Sequence, residues 1–293
     1  MSDQTNLLEA AITRTSSMLT AEPAERRGGW AFTRCWLQLT RFELSGNDPA
    51  ALRAALDDFD AIPTGMPGRP KLAAALVNCQ IRAGRLREGP AIRRAAALAE
   101  VADSDPEPLP AWPTNRAVVR ALTLMKACQE GDASISVRSA LKELDELDAV
   151  VDGVKPQADI LEFARIGLAQ LHSEQDMDHG GLEESRRRAE DMARRHGPGS
   201  PLHGRTWIAT TLMEAQAATA RGDLAAVANV VEKIRAGTAA LPPQDPMRPQ
   251  LEQMLASLAP YLDLVRKGAQ HPGGFVSPSF NPVPEDGALA ELR

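Results

Sequence analysis

Along this chain apolar residues return every three or four positions for several turns at a time, and polar punctuation separates one run from the next. The clearest run follows Gly222: Leu224, Val227, Val231 and Ile234 fall on one stripe of a helix. Asp223 just before it is placed to cap the first turn, because its carboxylate can accept from N–H groups that have no partner inside the helix. Gly237 is expected to weaken the last turns, and Pro242-Pro243 cannot continue the helix. The same order recurs at Asp48, where Pro49 opens a stripe of Leu52, Leu56 and Phe59 that stops before Pro63. A third version starts at Gly131-Asp132, with Val137, Leu141, Leu144, Leu147 and Val151 behind it and Pro156 beyond.

A second marker yields a period of its own. Pro67-Gly68-Arg69-Pro70-Lys71-Leu72 is echoed by Pro246-Met247-Arg248-Pro249-Gln250-Leu251, and Arg116 and Arg205 open helices between them. The spacings Arg69 to Arg116 to Arg205 to Arg248 are 47, 89 and 43 residues. They define a repeat of about 45 residues if a weaker copy lies near Asp159-Ile160. Gly131-Asp132 and Gly222-Asp223, 91 residues apart, agree with two such repeats. That length accommodates two helices and their turns. One hairpin cannot bury its own apolar faces, so neighbours must stack.

The predicted helices run Thr5 to Thr20, Ala24 to Leu44, Pro49 to Ala61, Arg69 to Ala83, Leu86 to Ala102, Thr114 to Glu130, Ser134 to Val151, Ala158 to Ser173, Leu182 to Arg195, Leu202 to Arg221, Leu224 to Ala240 and Met247 to Arg266. The expected architecture is all-α, an array of antiparallel helix hairpins over residues 1–267. A Pro- and Gly-rich extended tail is expected over 268–293. Asp105-Pro106-Glu107-Pro108-Leu109-Pro110 reads as a rigid loop within the array.

Composition supports helices over strands. Only 4% of the residues are aromatic, with a single Tyr, while Ala and Leu recur throughout. A hydrophobic fraction of 43% is enough to build a core. The net charge of −6 and pI near 5.5 argue against a nucleic-acid partner, which calls for a surplus of basic residues. Neither a signal-like N-terminus nor an apolar run of about 20 residues is present, so no membrane association is expected. Cys35, Cys79 and Cys128 are widely spaced within helix-like sequence and read as buried thiols of a reducing compartment, which places the chain in the cytoplasm.

The Gly-Asp turns, the small packing residues and the closing prolines together resemble the tetratricopeptide family, over most of the chain. The family's Trp, Leu-Gly and Tyr positions are mostly absent here, and the period exceeds its 34 residues. With Arg-Pro-x-Leu opening a helix, the longer repeat is similar to those preceding caspase-like CHAT domains in actinobacterial proteins. A CHAT domain itself needs an α/β sheet and a His-Cys pair, and is not expected in this chain, whose cysteines all precede residue 130. The resemblance implies an α-solenoid that binds proteins, and it carries over no catalytic residue.

Asp57-Asp58-Phe59-Asp60 is the one acidic cluster that could serve a metal and diphosphate in an all-α enzyme, but Phe59 belongs to the core stripe and the chain lacks an aromatic cavity. His172, Glu174, Asp176, Asp178 and His179 crowd one loop without His-x-x-x-His, Cys-x-x-Cys or a full calcium-loop pattern. His196 and His203 flank a Gly-Pro-Gly turn, where helix capping is the plainer role. Glu183, Glu184, Glu190 and Asp191 stand four residues before Arg187, Arg188, Arg194 and Arg195, an order that favours neutralisation along a helix. Trp30, Trp36, Trp112 and Trp207 read as packing residues. No catalytic residue, metal site or cofactor is expected. The expected function is a protein- or peptide-binding scaffold or regulatory module using the concave face of the array, with Arg69, Arg116, Arg205 and Arg248 as candidate partner-binding residues.

Overall fold

The computed structural model describes residues 2–86, 89–176, 178–196, 221–240 and 248–266, and between 196 and 221 residues 207, 210, 211, 213–215 and 217–219. The chain falls into two compact units, residues 1–203 and 204–293. No described residue lies in a strand, as the composition led one to expect. The first unit contains α1 (Ser2–Ala21), α2 (Ala24–Leu44), α3 (Pro49–Asp60), α4 (Arg69–Arg82), α5 (Gly89–Ala102), α6 (Trp112–Gln129), α7 (Val137–Val151), α8 (Gln157–Gln175) and α9 (His179–Arg195). In the second unit α10 is Leu224–Ala240 and α11 is Arg248–Arg266. Half of the predicted helix over Leu202 to Arg221, and the whole of the predicted tail, fall outside the described residues.

Capping chemistry sets the helix starts. Asp48 accepts from the Ala50 N–H at 2.9 Å with Pro49 at the first position, and Asp223 accepts from the Ala226 N–H at 3.0 Å. At the third copy the predicted start moves. Asp132 closes a local turn on the Ser134 N–H at 2.9 Å, and Ser136 caps α7 by accepting from the Ser139 N–H at 3.1 Å. Gly237 has a packing role that its type did not reveal. It lies inside α10, which continues to Ala240, and a Cβ there would come within 2.4 Å of the Trp207 ring. The position accepts a helix-weakening residue because only hydrogen leaves room for the indole.

One device closes α2, α4, α6 and the helical segment before Gly222. A glycine with positive φ follows each: Gly46 at 73°, Gly84 at 61°, Gly131 at 74° and Gly222 at 65°. The next N–H then reaches back to a carbonyl in the last turn: Asn47 to Phe42 (2.9 Å), Arg85 to Gln80 (2.9 Å), Asp132 to Ala127 (3.0 Å) and Asp223 to Ala218 (3.0 Å). The Asp178 N–H makes the same bond to Ser173 at the end of α8, at 2.8 Å. The accepting carbonyls of Phe42, Gln80, Ala127, Ser173 and Ala218 are 38, 47, 46 and 45 residues apart.

Within the first unit each helix packs on the next in sequence, and α2 with α4, α4 with α6 and α6 with α8 also touch. The even helices therefore form a row, with α3, α5 and α7 bridging it. A continuous core runs from α2 to α8 and includes Phe42, Phe59, Leu72, Leu98, Leu122, Leu144 and Leu161, all nearly inaccessible. Each such side chain contributes about 1.5–3 kcal/mol by leaving water. Polar groups cross the same row: the Gln157 amide donates to Asn115 Oδ1 at 2.9 Å, and the Asn115 amide donates to Asn78 Oδ1 at 3.3 Å. These amides sit on α8, α6 and α4. They fix the register of three helices where apolar contact alone would allow sliding. In the second unit α10 packs on α11 around Val227, Val231, Ile234 and Leu251.

Candidate functional site

Arg69, Arg116 and Arg248 each meet a partner close to their own helix start. The Arg69 guanidinium lies 4.5 Å from the centre of the Phe59 ring, tying the start of α4 to the end of α3. Arg116 Nε donates at 2.8 Å to Asp103, whose other oxygen accepts from Trp112 Nε1 at 3.1 Å. One carboxylate at the end of α5 thus fastens the first turn of α6 twice. Arg248 donates to Glu252 on its own helix at 3.0 Å, and Arg205 lies outside the described residues. These three arginines make local contacts at helix starts.

The acidic cluster disperses in the same way. Asp58 is buried at 4% exposure and accepts from Arg34 Nε at 3.0 and 2.9 Å on its two oxygens, with a further bond from the same guanidinium. Arg34 also donates to Ser16 Oγ at 3.2 Å, so it joins α1, α2 and α3, and the Asp58 hydrogen bond raises its pKa further. Asp60 pairs instead with Arg94 on α5. In the polar loop His172 Nδ1 meets Asp176 at 3.2 Å, and Asp178 caps α9 through the Gly180 N–H at 3.0 Å. His196 Nε2 is 3.4 Å from the buried Asp159. Among the described residues no group of three or more His, Cys, Asp or Glu side chains is placed to hold a metal ion.

All three cysteines are free and buried. Burial pushes the Cys79 thiol up to about 11 and raises Cys35 and Cys128 as well, so none is an activated nucleophile near neutral pH. Trp112 packs as expected, at 5% exposure. Trp36 does not. It stays 38% exposed, edge-on to Phe32 with ring centres 6.5 Å apart.

The concave feature with a distinct charge pattern lies between α8 and α9. A cleft of about 540 Å³ is lined by Glu162, Arg187, Arg188, Asp191, Arg194 and Arg195. The sequence placed each acid four residues before its arginine, but the pairs that form differ. Glu184 takes Arg187 at 2.8 Å, and Asp191 takes Arg194 three residues on and Arg187 four residues back, the latter at 3.5 Å. Arg188 turns away to Glu162 on α8 at 3.2 Å. Arg195 makes no ion pair among the described residues. Sequence spacing could not reveal this, since three- and four-residue pairings are equally open on a helix and Glu162 arrives from another element.

A smaller cleft of about 360 Å³ lies where the loop before α4 meets the one after α5, lined by Met66, Pro67, Pro70, Lys71, Asp105 and Pro106 among others. No described helix is long and apolar enough to cross a membrane. In comparisons with known proteins, no family model matches the chain, and no curated protein or solved structure matches it.

Proposed function

We propose that the chain is a tetratricopeptide-like array of stacked helix hairpins in the cytoplasm, and that it holds a protein or peptide partner without catalysing a reaction on it. The observation that carries this reading is the recurrence of one hairpin closure at Gly84, Gly131 and Gly222 with even helices in a row. Such construction multiplies surface from a single motif, and extended surface is what a protein-binding module requires. The groups with catalytic potential serve the architecture instead: Asp58 and Asp60 are engaged by arginines of other helices, and the thiols are buried and protonated. The enzyme reading around Asp57 to Asp60 draws no support from this arrangement.

The test is reconstitution. The full chain serves as bait in its native cytoplasm, and each specifically enriched protein is purified and remixed with it in sedimentation velocity. A complex of fixed stoichiometry that survives without nucleotide, metal or turnover is the expected outcome. Failure of every enriched protein to rebuild a complex contradicts the proposal.

A further inference from the structure

We infer that the cleft between α8 and α9 is a binding site for a phosphoryl dianion, gripped chiefly by Arg188 and Arg195. The inference is independent of the array reading, since a cleft of this chemistry would take such a ligand in a scaffold or an enzyme alike.

The argument begins with charge. Four guanidinium groups and two carboxylates line the cleft, so the lining carries two positive charges in a chain whose net charge is −6. The surplus has a location. Arg187 is held by Glu184 and Asp191, and Arg194 by Asp191. Arg188 has one carboxylate, Glu162, and that group also meets Arg165 at 3.7 Å. Arg195, with no ion pair among the described residues, is the least neutralised of the four.

Geometry then favours a compact oxyanion. Arg188 and Arg195 are two helical turns apart, about 10 Å along the axis, so two long side chains on one stripe can close on a group seated between them. Guanidinium forks match the tetrahedral oxygens of phosphate, and two forks suit a dianion better than a single carboxylate. Arginines elsewhere among the described residues are engaged with acids of neighbouring helices, as Arg34 is with Asp58 and Arg120 with Glu143. Free phosphate and a phosphorylated side chain of a partner peptide present the same group, and the experiment separates them.

Calorimetric titrations of the full chain at pH 7.5, with constant ionic strength, use three probes: inorganic phosphate, a short phosphoserine peptide and its unphosphorylated twin. Binding of phosphate alone assigns the site to the free ion, and binding of the phosphopeptide assigns it to a modified partner. Either outcome supports the inference provided that Arg195→Gln weakens binding by about tenfold or more, the loss expected for one charge-assisted contact. Arg195→Gln disturbs no ion pair described here, so its fold is checked by circular dichroism, and Arg138→Gln, at an exposed position of α7, serves as the control that leaves binding unchanged. Arg188→Gln is expected to act in the same direction while also losing its tie to Glu162. The inference is overturned if neither phosphoryl probe binds, if the unphosphorylated peptide binds equally well, or if Arg195→Gln binds like the wild type.

Discussion

Asp58 illustrates how a residue can look like chemistry and serve structure. Its carboxylate is buried, yet three hydrogen bonds from one arginine compensate for the water it has lost. Removing one member strands the other, which costs more than the pair contributes net. Asp58→Ala is therefore expected to lower unfolding free energy by about 2–3 kcal/mol in a urea titration, while Asp57→Ala, at the exposed neighbouring position, changes it little. Equal effects of the two substitutions would show that the pair has no special weight. The cysteines give a second check. With its thiol pushed up to about 11, Cys79 at pH 8 is roughly one part in a thousand thiolate, and raised values for Cys35 and Cys128 act in the same direction. Alkylation of the folded chain is expected to be slower than that of the urea-unfolded chain by more than about tenfold, and comparable rates would contradict the burial described here.

At the scale of the element, glycine has opposite meanings at two places. Gly131 closes α6 with φ of 74°, and a Cβ there would touch nothing within 4 Å, so the cost of Gly131→Ala is purely that of a left-handed backbone. It is expected at about 1 kcal/mol, a fall in midpoint in thermal unfolding. Gly29 lies within α2 with equally open space around its Cβ, and there Gly29→Ala should stabilise by about 0.5–1 kcal/mol. Opposite signs for these two exchanges are the result to look for. Caps such as Asp48 and Asp223 were legible in the sequence because capping is local: residue type and the following apolar run suffice. The packing role of Gly237 was not legible because the Trp207 ring comes from thirty residues away. The same limit applies to the site. Periodicity tells which face of α9 is charged, but not that Arg188 answers Glu162 on α8, and so not where positive charge is left over. Arg34 with Asp58 and Asn115 with Gln157 were unreadable for that reason too, each pair being brought together only by helix packing.

At the scale of the whole molecule, all-helical architecture could be read in advance because caps and closing glycines are local punctuation. The order of packing could not, since an apolar stripe does not name its partner. The amide chain from Asn78 through Asn115 to Gln157 ties three even helices together, and Asn115→Leu is expected to cost about 2–3 kcal/mol in urea unfolding by leaving the Gln157 donor and the Asn78 acceptor without their partner. How far such damage spreads depends on how the molecule is built. If hairpins are coupled mainly to their neighbours, stability is a sum of local terms and a local defect stays local. Native-state hydrogen exchange of the Gly131→Ala chain measures this directly. The account predicts that protection falls most in α6 and α7, less in α5 and α8, and least in α1 to α3. An equal loss of protection across all the helices of the first unit would contradict it, marking one globally cooperative core in place of an array of stacked hairpins.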